Sequence, residues 1–147
     1  MFSQEINNMA GNRTLTMIKP SAFESGYSGP IISEIEKAGF RIIGMRLVHL
    51  SHSEAESFYK VHKDRPFYID LVRFMTSGPI IAAFLEKENA VEDFRKIIGN
   101  TDPAKAEKGT IRNLFGKSLT ENAIHGSDSD ETALLEGNFF FSFLDIV

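Results

Sequence analysis

The feature that most constrains the fold is an uninterrupted apolar run in the second half of the chain. The segment from Pro79 to Leu85 reads Pro-Ile-Ile-Ala-Ala-Phe-Leu and contains no charged residue. It is far shorter than the ~18 apolar residues that a membrane-spanning helix needs. A short apolar run bounded by turn residues is typical of a strand that is buried in a sheet. We therefore predict a buried strand over 79–85.

Three other segments have a strand-like composition. These strands are predicted over 13–19, 40–50 and 139–143. In the first of them polar and apolar residues alternate from Thr14 to Met17, and Pro20 ends the strand.

Helical signals lie between these strands. Apolar residues recur at helical spacing over 29–38, and Gly39 has the position of a C-cap. Ser53 and Glu56 have the spacing of a capping box. Further helical segments are predicted over 67–75, from Asn89 with Glu92, in a short turn from Asp102, and from Ser129. Residues 108–122 show no clear period and are predicted to form a long loop, which in a compact domain is usually functional or mobile.

The order of these elements predicts an α+β fold. It suits a ferredoxin-like split β-α-β sandwich, in which helices lie on one face of a four-stranded antiparallel sheet. The length of 147 residues is sufficient for one domain, which is predicted to cover 13–147 after a polar N-terminal extension over 1–12.

Composition excludes several classes of function. The net charge of −4 disfavours general binding of nucleic acids. The absence of cysteine excludes disulfides, thiolate metal sites and cysteine nucleophiles. The polar start of the chain lacks the apolar core of a signal peptide, so the cytoplasm is the expected location.

One histidine carries the main chemical signal. His125 is followed by Gly126, Ser127 and Asp128. Neutral imidazole has a lone pair near physiological pH, because its reference pKa is about 6.5, so it can act as a nucleophile. A single histidine is more often a packing or surface residue, and the pattern alone leaves both interpretations open. Glu136 is a carboxylate that could orient the ring.

Three cations complement this histidine. Lys19, Arg95 and Arg112 would each be ordinary surface charges on their own, but together with a nucleophile they suggest a phosphate clamp. Guanidinium groups match phosphate oxygens in a bidentate manner. Thr101 can donate its hydroxyl to a phosphate or simply support a turn.

Four motifs together resemble the nucleoside diphosphate kinase family. They are Met17-Ile-Lys-Pro20, Tyr59-x-x-His62-x-x-Arg-Pro-Phe67, Gly109-Thr-Ile-Arg112 and Asn122-x-x-His-Gly-Ser-Asp128. The resemblance runs from about Arg13 to the C-terminus, and the short C-terminus is similar to that of bacterial members. It implies that the γ-phosphoryl group of a nucleoside triphosphate passes to a nucleoside diphosphate by a ping-pong mechanism through a phosphohistidine at His125, with broad base tolerance.

The resemblance also implies roles for individual residues. Those implied to bind the nucleotide are Lys19, Phe67, Leu71, Arg95, Thr101, Arg112, Leu119 and Asn122. Those implied to act in catalysis with His125 are Lys19, Tyr59, Asn122, Ser127 and Glu136. The long loop would belong to the nucleotide site. Mg²⁺ would be bound through the nucleotide phosphates, aided by Asp128, without a dedicated protein cage.

The implied partners are nucleoside triphosphates and diphosphates, such as ATP and GTP, and further copies of the chain in a tetramer or hexamer. No membrane and no specific nucleic acid are expected as partners. Two weaker alternatives remain. An RNA-binding module is suggested by the aromatic run from Gly137 to Phe143, although the acidic net charge opposes it. A catalytically inactive scaffold is opposed by the presence of all the motif residues.

Overall fold

A computed structural model describes residues 11–147, so most of the predicted N-terminal extension lies outside the described residues. The strands are β1 (Arg13–Ile18), β2 (Arg41–Val48), β3 (Ile80–Glu86) and β4 (Ile124–Gly126). The helices are α1 (Pro20–Glu24), α2 (Ser28–Lys37), α3 (His52–Phe58), α4 (Tyr68–Met75), α5 (Ala90–Ile98), α6 (Ile111–Phe115) and α7 (Asp130–Phe140). Short 3₁₀ turns cover Lys60–His62, Pro103–Lys105 and Phe143–Asp145. Within 11–147, no helix is long and apolar enough to cross a membrane.

The four strands form one antiparallel sheet in the order β2-β3-β1-β4. This confirms the predicted four-stranded antiparallel α+β fold and the predicted strands over 13–19, 40–50 and 79–85. The fourth strand was placed wrongly. Phe139 and Phe140 end helix α7, and Phe143 lies in a 3₁₀ turn. A short apolar run fits a buried helix as well as a strand, and here the helix that Ser129 caps extends into it as far as Phe140.

The true fourth strand contains His125. Strand β4 has three residues and pairs with β1 so that His125 lies opposite Met17. The aromatic strand on which an RNA-binding module would depend is therefore not formed by 137–143.

Helices cover both faces of the sheet, whereas the sequence indicated one. Leu15, Met17 and Phe84 face a cluster that includes residues of α3, α4 and α7. Ile18 and Leu85, which point the opposite way on the same strands, face a cluster that includes residues of α1, α2, α5 and α6. Both faces of β1 and β3 are thus buried, as the apolar run in β3 requires.

Three local predictions need correction. The capping box is formed by Ser51 and Glu54, and not by Ser53 and Glu56, because it is Ser51 that has the extended backbone of an N-cap. The predicted loop over 108–122 contains helix α6, whose N-cap Thr110 accepts a hydrogen bond from the backbone N–H of Asn113. Helix α1 was missed: Pro20 ends β1 and also occupies the first helical position, where its missing N–H costs nothing.

The structure confirms four predicted helices, which are those over 29–38 and 67–75 and those begun by Asn89 and Ser129.

Candidate active site

The imidazole of His125 is held by a carboxylate from helix α7. His125 Nε2 lies 2.9 Å from Glu136 Oε1, and Ser127 Oγ donates to the same oxygen at 2.6 Å. A carboxylate only accepts hydrogen bonds, so Nε2 carries the ring proton and the lone pair is on Nδ1. The side chains of His125 and Glu136 are 19% and 14% exposed, which leaves limited solvent to compete with this contact.

The backbone around His125 is anchored to the centre of the sheet. Thr16 Oγ1 donates to the carbonyl of His125 at 2.8 Å. The backbone N–H of Leu15 donates to Ser127 Oγ at 3.2 Å, and the backbone N–H of Ser127 donates to the carbonyl of Leu15 at 3.2 Å. The chain is therefore fixed on β1 at His125 and again two residues later at Ser127.

Two aromatic residues at the end of α3 lie beside this pair. The ring of Phe58 packs edge-on against the His125 ring with centroids 5.6 Å apart. Tyr59 is buried, and its hydroxyl has no hydrogen-bond partner among residues 11–147. Burial, with a smaller contribution from the charge of Glu136, raises the pKa of this hydroxyl above its ordinary value, so it remains a donor. Phe58 was not among the predicted site residues, and its position next to Tyr59 was the only available signal.

Three of the predicted phosphate-binding residues line one cavity. Arg95, Thr101 and Arg112 contribute to a cavity of about 220 Å³, together with the backbone around Gly99. Arg95 comes from the last turn of α5 and Arg112 from α6, while Thr101 lies in the segment between these helices. The helix within the predicted loop thus serves to bring Arg112 to the cavity.

Lys19 lies close to Arg112 and is almost fully buried, at 7% exposure. Burial, followed by the charge of Arg112, lowers the pKa of the Lys19 ammonium to about 7. Burial and the charge of Arg95 likewise lower the pKa of Arg112 to about 10. The charge of Arg95 therefore acts on Arg112, and the charge of Arg112 acts on Lys19. A bound anion would offset both the repulsion between these cations and the cost of burying them.

Arg112 also holds the backbone that leads to the histidine. Its Nη1 donates to the carbonyl of Gly99 at 3.1 Å and its Nη2 to the carbonyl of Ile124 at 2.9 Å. Its Nε is buried without a partner in the described part of the chain. An arginine has five N–H donors, so this side chain can hold two carbonyls and still offer donors to a ligand.

Asn122 and Ala123 connect this cavity to Lys19. Asn122 Nδ2 donates to the carbonyl of Thr101 at 3.1 Å, and its buried Oδ1 has no partner among residues 11–147. Ala123 has a φ of 76°, a left-handed conformation that is strained for a residue with a side chain. Its carbonyl accepts the backbone N–H of Lys19 at 2.9 Å. The chain is strained at the point where it brings Asn122, Lys19 and β4 together.

Two of the three residues implied to flank the base are exposed. Phe67 is 48% exposed at the start of α4, and its ring lies 5.5 Å from that of His62. Leu71 follows one turn later and is partly buried against the core. Leu119 is 61% exposed in the segment between α6 and β4. Asp128, the residue implied to aid Mg²⁺ binding, is also exposed and lies three residues after His125.

Comparison with known proteins identifies the family. The family model described as nucleoside diphosphate kinase matches residues 12–146. This chain belongs to the nucleoside diphosphate kinase family. Nucleoside diphosphate kinases transfer a phosphoryl group from a nucleoside triphosphate to a nucleoside diphosphate, and the chain is a phosphotransferase of this kind.

Relatives cover nearly the whole chain. A nucleoside diphosphate kinase of Flavobacterium psychrophilum is 56% identical over 134 residues, which cover 91% of this chain and 96% of that protein. One from Trichlorobacter lovleyi is 53% identical over 135 residues, which cover 92% and 98%.

Solved structures of the family have the same fold. The nucleoside diphosphate kinase of Aquifex aeolicus superposes with a TM-score of 0.90 at 45% identity, over 92% of this chain and 99% of that one. A halophilic nucleoside diphosphate kinase from Halobacterium salinarum, solved in complex with CDP, superposes with a TM-score of 0.89 at 34% identity, over 93% and 91%. These matches confirm the ferredoxin-like fold.

Proposed function

We propose that His125 carries the phosphoryl group between the two nucleotides in a ping-pong reaction. The observation that carries this proposal is the hydrogen bond between His125 Nε2 and Glu136, because it leaves the lone pair of Nδ1 free to attack. The cluster of Lys19, Arg95 and Arg112 supports the proposal, since phosphoryl transfer depends mainly on positioning and charge stabilisation.

The proposed step conserves atoms and charge. The Nδ1 lone pair of His125 forms a bond to the γ-phosphorus, and the bond from that phosphorus to the bridging oxygen breaks. The electron pair remains on the departing nucleoside diphosphate. Positive charge then develops on the ring, and Glu136 stabilises it through Nε2–H. In the second half the terminal oxygen of another nucleoside diphosphate attacks the same phosphorus, and the electron pair returns to Nδ1.

The residues around the cavity are proposed to hold the nucleotide. Arg95, Thr101 and Arg112 would bind the phosphates, which the cavity they share supports. Lys19 and Asn122 would contact the transferring phosphate and the ribose 3′-hydroxyl, and the unpartnered Oδ1 of Asn122 supports this role. A buried polar atom without a partner is costly, so it is well placed to receive a ligand group.

Tyr59 and Ser127 would complete the catalytic surroundings of His125. The buried Tyr59 hydroxyl has no partner in the described part of the chain and can donate to a phosphate oxygen. Ser127 orients the Glu136 carboxylate through its short hydrogen bond.

The base would stack on Phe67, with Leu71 and Leu119 as further apolar contacts. The exposed ring of Phe67 supports this placement. Stacking discriminates poorly among bases, because every base has a π-face. We therefore expect purine and pyrimidine nucleotides to react.

Magnesium is proposed to bind together with the nucleotide. Among residues 11–147 there is no cluster of three or more histidine, aspartate or glutamate side chains that could hold a metal. Mg²⁺ is commonly held by substrate phosphates with one or two carboxylates. The exposed Asp128 would be such a carboxylate, and the ion would neutralise phosphate charge when bound.

Labelling with γ-³²P-ATP tests the proposal. The protein should take up an acid-labile label, and ADP, GDP, CDP or UDP should each remove it as the triphosphate. His125→Ala should take up no label. His52→Ala changes an exposed histidine on α3 and is the matched control, which should label normally. Persistent labelling of His125→Ala would overturn the assignment.

The proposal also includes the organisation of the active protein. We propose one nucleoside diphosphate kinase domain over 13–147, acting in the cytoplasm as a homo-oligomer, either a tetramer or a hexamer. The edge strand β2, with Met45 and Leu47 53% and 65% exposed, supports self-association. Light scattering during size-exclusion chromatography should give four or six protomers, and a monomer would contradict this part. Activity confined to the cytoplasmic fraction of cells is expected.

A further inference from the structure

A glycine next to Glu136 lies in unusually close contact with the sheet. Gly137 is buried on α7, and a Cβ atom added there would overlap Phe84 Cζ and lie 2.8 Å from Phe84 Cε1 and Cε2. Carbon atoms in favourable contact are about 3.5–4.0 Å apart, so an alanine at position 137 would force helix α7 and the Phe84 ring about 1 Å further apart. The missing side chain therefore allows α7 to approach β3 closely.

The Phe84 ring has no room to move away from the helix. It is 1% exposed and stacks on Phe141 with centroids 6.2 Å apart and planes 2° apart. Phe141 in turn packs against Gly44 on β2, where an added Cβ would lie 3.1 Å from Phe141 Cδ1. The two rings thus form a layer enclosed between Gly137 on one side and Gly44 on the other.

The separation between α7 and the sheet affects the His125 site directly. His125 and Ser127 are fixed to β1 by the bonds described above, whereas Glu136 belongs to α7. The hydrogen bond of 2.9 Å from His125 to Glu136 therefore bridges the helix and the sheet. A displacement of the helix by about 1 Å would carry this distance beyond hydrogen-bonding range.

We propose that Gly137 is a positioning residue for phosphoryl transfer. Its contact with Phe84 sets the separation of α7 from the sheet, and this separation brings the Glu136 carboxylate to His125. The inference rests on the proposed role of His125 as the phosphate carrier. Phe84 and Phe141 lie on the face of the sheet opposite α5 and α6, which carry Arg95 and Arg112. The inference gives these two rings a part in fixing the tautomer of the nucleophile.

Gly137→Ala is the direct test. Single-turnover phosphorylation by ATP should slow by roughly 10–100-fold, as expected for a misplacement of about 1 Å, while nucleotide affinity stays within about twofold of the parent. In ¹⁵N NMR of the imidazole, the parent should show His125 with its proton on Nε2, and Gly137→Ala should show a mixture of tautomers. A role in folding alone would not move this signal.

Two further variants separate positioning from general damage. Gly137→Ala/Phe84→Leu removes the ring atoms that the new methyl group meets, and it should restore both the rate and the tautomer. Gly29→Ala makes the same change in α2 and should behave as the parent. Apart from its chain neighbours and the backbone of its own helix, no atom of residues 11–147 lies within 4 Å of the added Cβ. Alanine favours a helix more than glycine does, which offsets part of the overlap with Phe84 in Gly137→Ala and stabilises α2 in Gly29→Ala.

The outcomes distinguish this inference from the proposed function. If the parent is phosphorylated at His125 and Gly137→Ala reacts at the parental rate with the parental tautomer, the inference is wrong. A slow Gly137→Ala that Phe84→Leu fails to restore, with an unchanged tautomer, would also overturn it. If the parent takes no phosphate on His125, the proposed function fails, and the tautomer comparison still decides whether Gly137 positions Glu136.

Discussion

Binding of a nucleotide should drive the uptake of a proton by Lys19. In the free protein, burial and the charge of Arg112 lower the pKa of the Lys19 ammonium to about 7. A bound phosphate places negative charge beside this ammonium and favours its protonated form, so the pKa rises towards or beyond its ordinary value. Between these two pKa values the complex holds a proton that the free protein lacks.

The size of the effect follows from the two pKa values. At pH 8, one unit above the pKa of about 7, only about a tenth of the free protein has a charged Lys19, so binding takes up about 0.9 proton. At pH 6 Lys19 is already about nine-tenths charged, and the uptake falls to about 0.1 proton. Because the bound state holds more protons, affinity should weaken above pH 7, by about fivefold from pH 7 to pH 8 and by nearly tenfold from pH 8 to pH 9.

Calorimetry measures this uptake. ADP is titrated into the protein in buffers of different ionisation enthalpy, and the slope of binding enthalpy against buffer enthalpy gives the number of protons. A nucleotide phosphate that titrates near pH 6 is ionised at pH 8 and contributes little there. Lys19→Met should abolish the uptake at pH 8, whereas Lys37→Met, at a lysine whose side chain is 73% exposed, should preserve it. The same uptake in parent and Lys19→Met would refute the reasoning.

Four substitutions test the other parts of the site. Glu136→Gln should slow phosphorylation of His125 by roughly 10–100-fold and leave nucleotide affinity nearly intact, as measured by single-turnover kinetics; an unchanged rate would mean that another group orients the ring. Arg95→Ala and Arg112→Ala should each weaken nucleotide binding by about 1.5–3 kcal/mol in titrations, and only Arg112→Ala should also lower the unfolding free energy, by about 1–3 kcal/mol, because it leaves two carbonyls unpaired. Equal stability of the two variants would contradict this difference. Phe67→Ala should cost about 1–3 kcal/mol of binding for every base, and a loss confined to one base would indicate hydrogen-bond readout instead.

The long elements could be predicted because their patterns are local. The alternation in β1, the apolar run of β3 and the helical period of α2 and α5 are visible within one window of sequence. In α5, Phe94 and Ile98 are buried and Glu92 lies in the first turn, as an amphipathic helix with an acidic start requires.

The missed elements depend on contacts that are distant in sequence. Strand β4 has three residues and exists because it pairs with β1, about a hundred residues earlier, so no local period marks it. Helix α6 is five residues long, too short to show a period. The run from Phe139 to Phe143 is aromatic except for Ser142 and shows no clear helical or strand period, and the packing of Phe140 and Phe141 distinguishes helix from strand there.

The site was predictable in its residue types but not in its detail. The sequence suggested that Glu136 could orient His125, and the structure places the two side chains in contact. Nothing local indicated that Arg112 also holds the Ile124 carbonyl, or that Phe58 packs on the histidine ring. These contacts arise from tertiary packing, which spacing along the chain does not report.

The position of the phosphate on the imidazole tests the central claim most directly. The protein is labelled with ¹⁵N in its histidine rings, phosphorylated with ATP and analysed by ³¹P–¹⁵N NMR. Because Nε2–H is bonded to Glu136, the account predicts that the phosphorus is coupled to Nδ1 of His125 and that Nε2 retains its proton. Phosphate on Nε2, on another residue, or on no residue of the protein would contradict it.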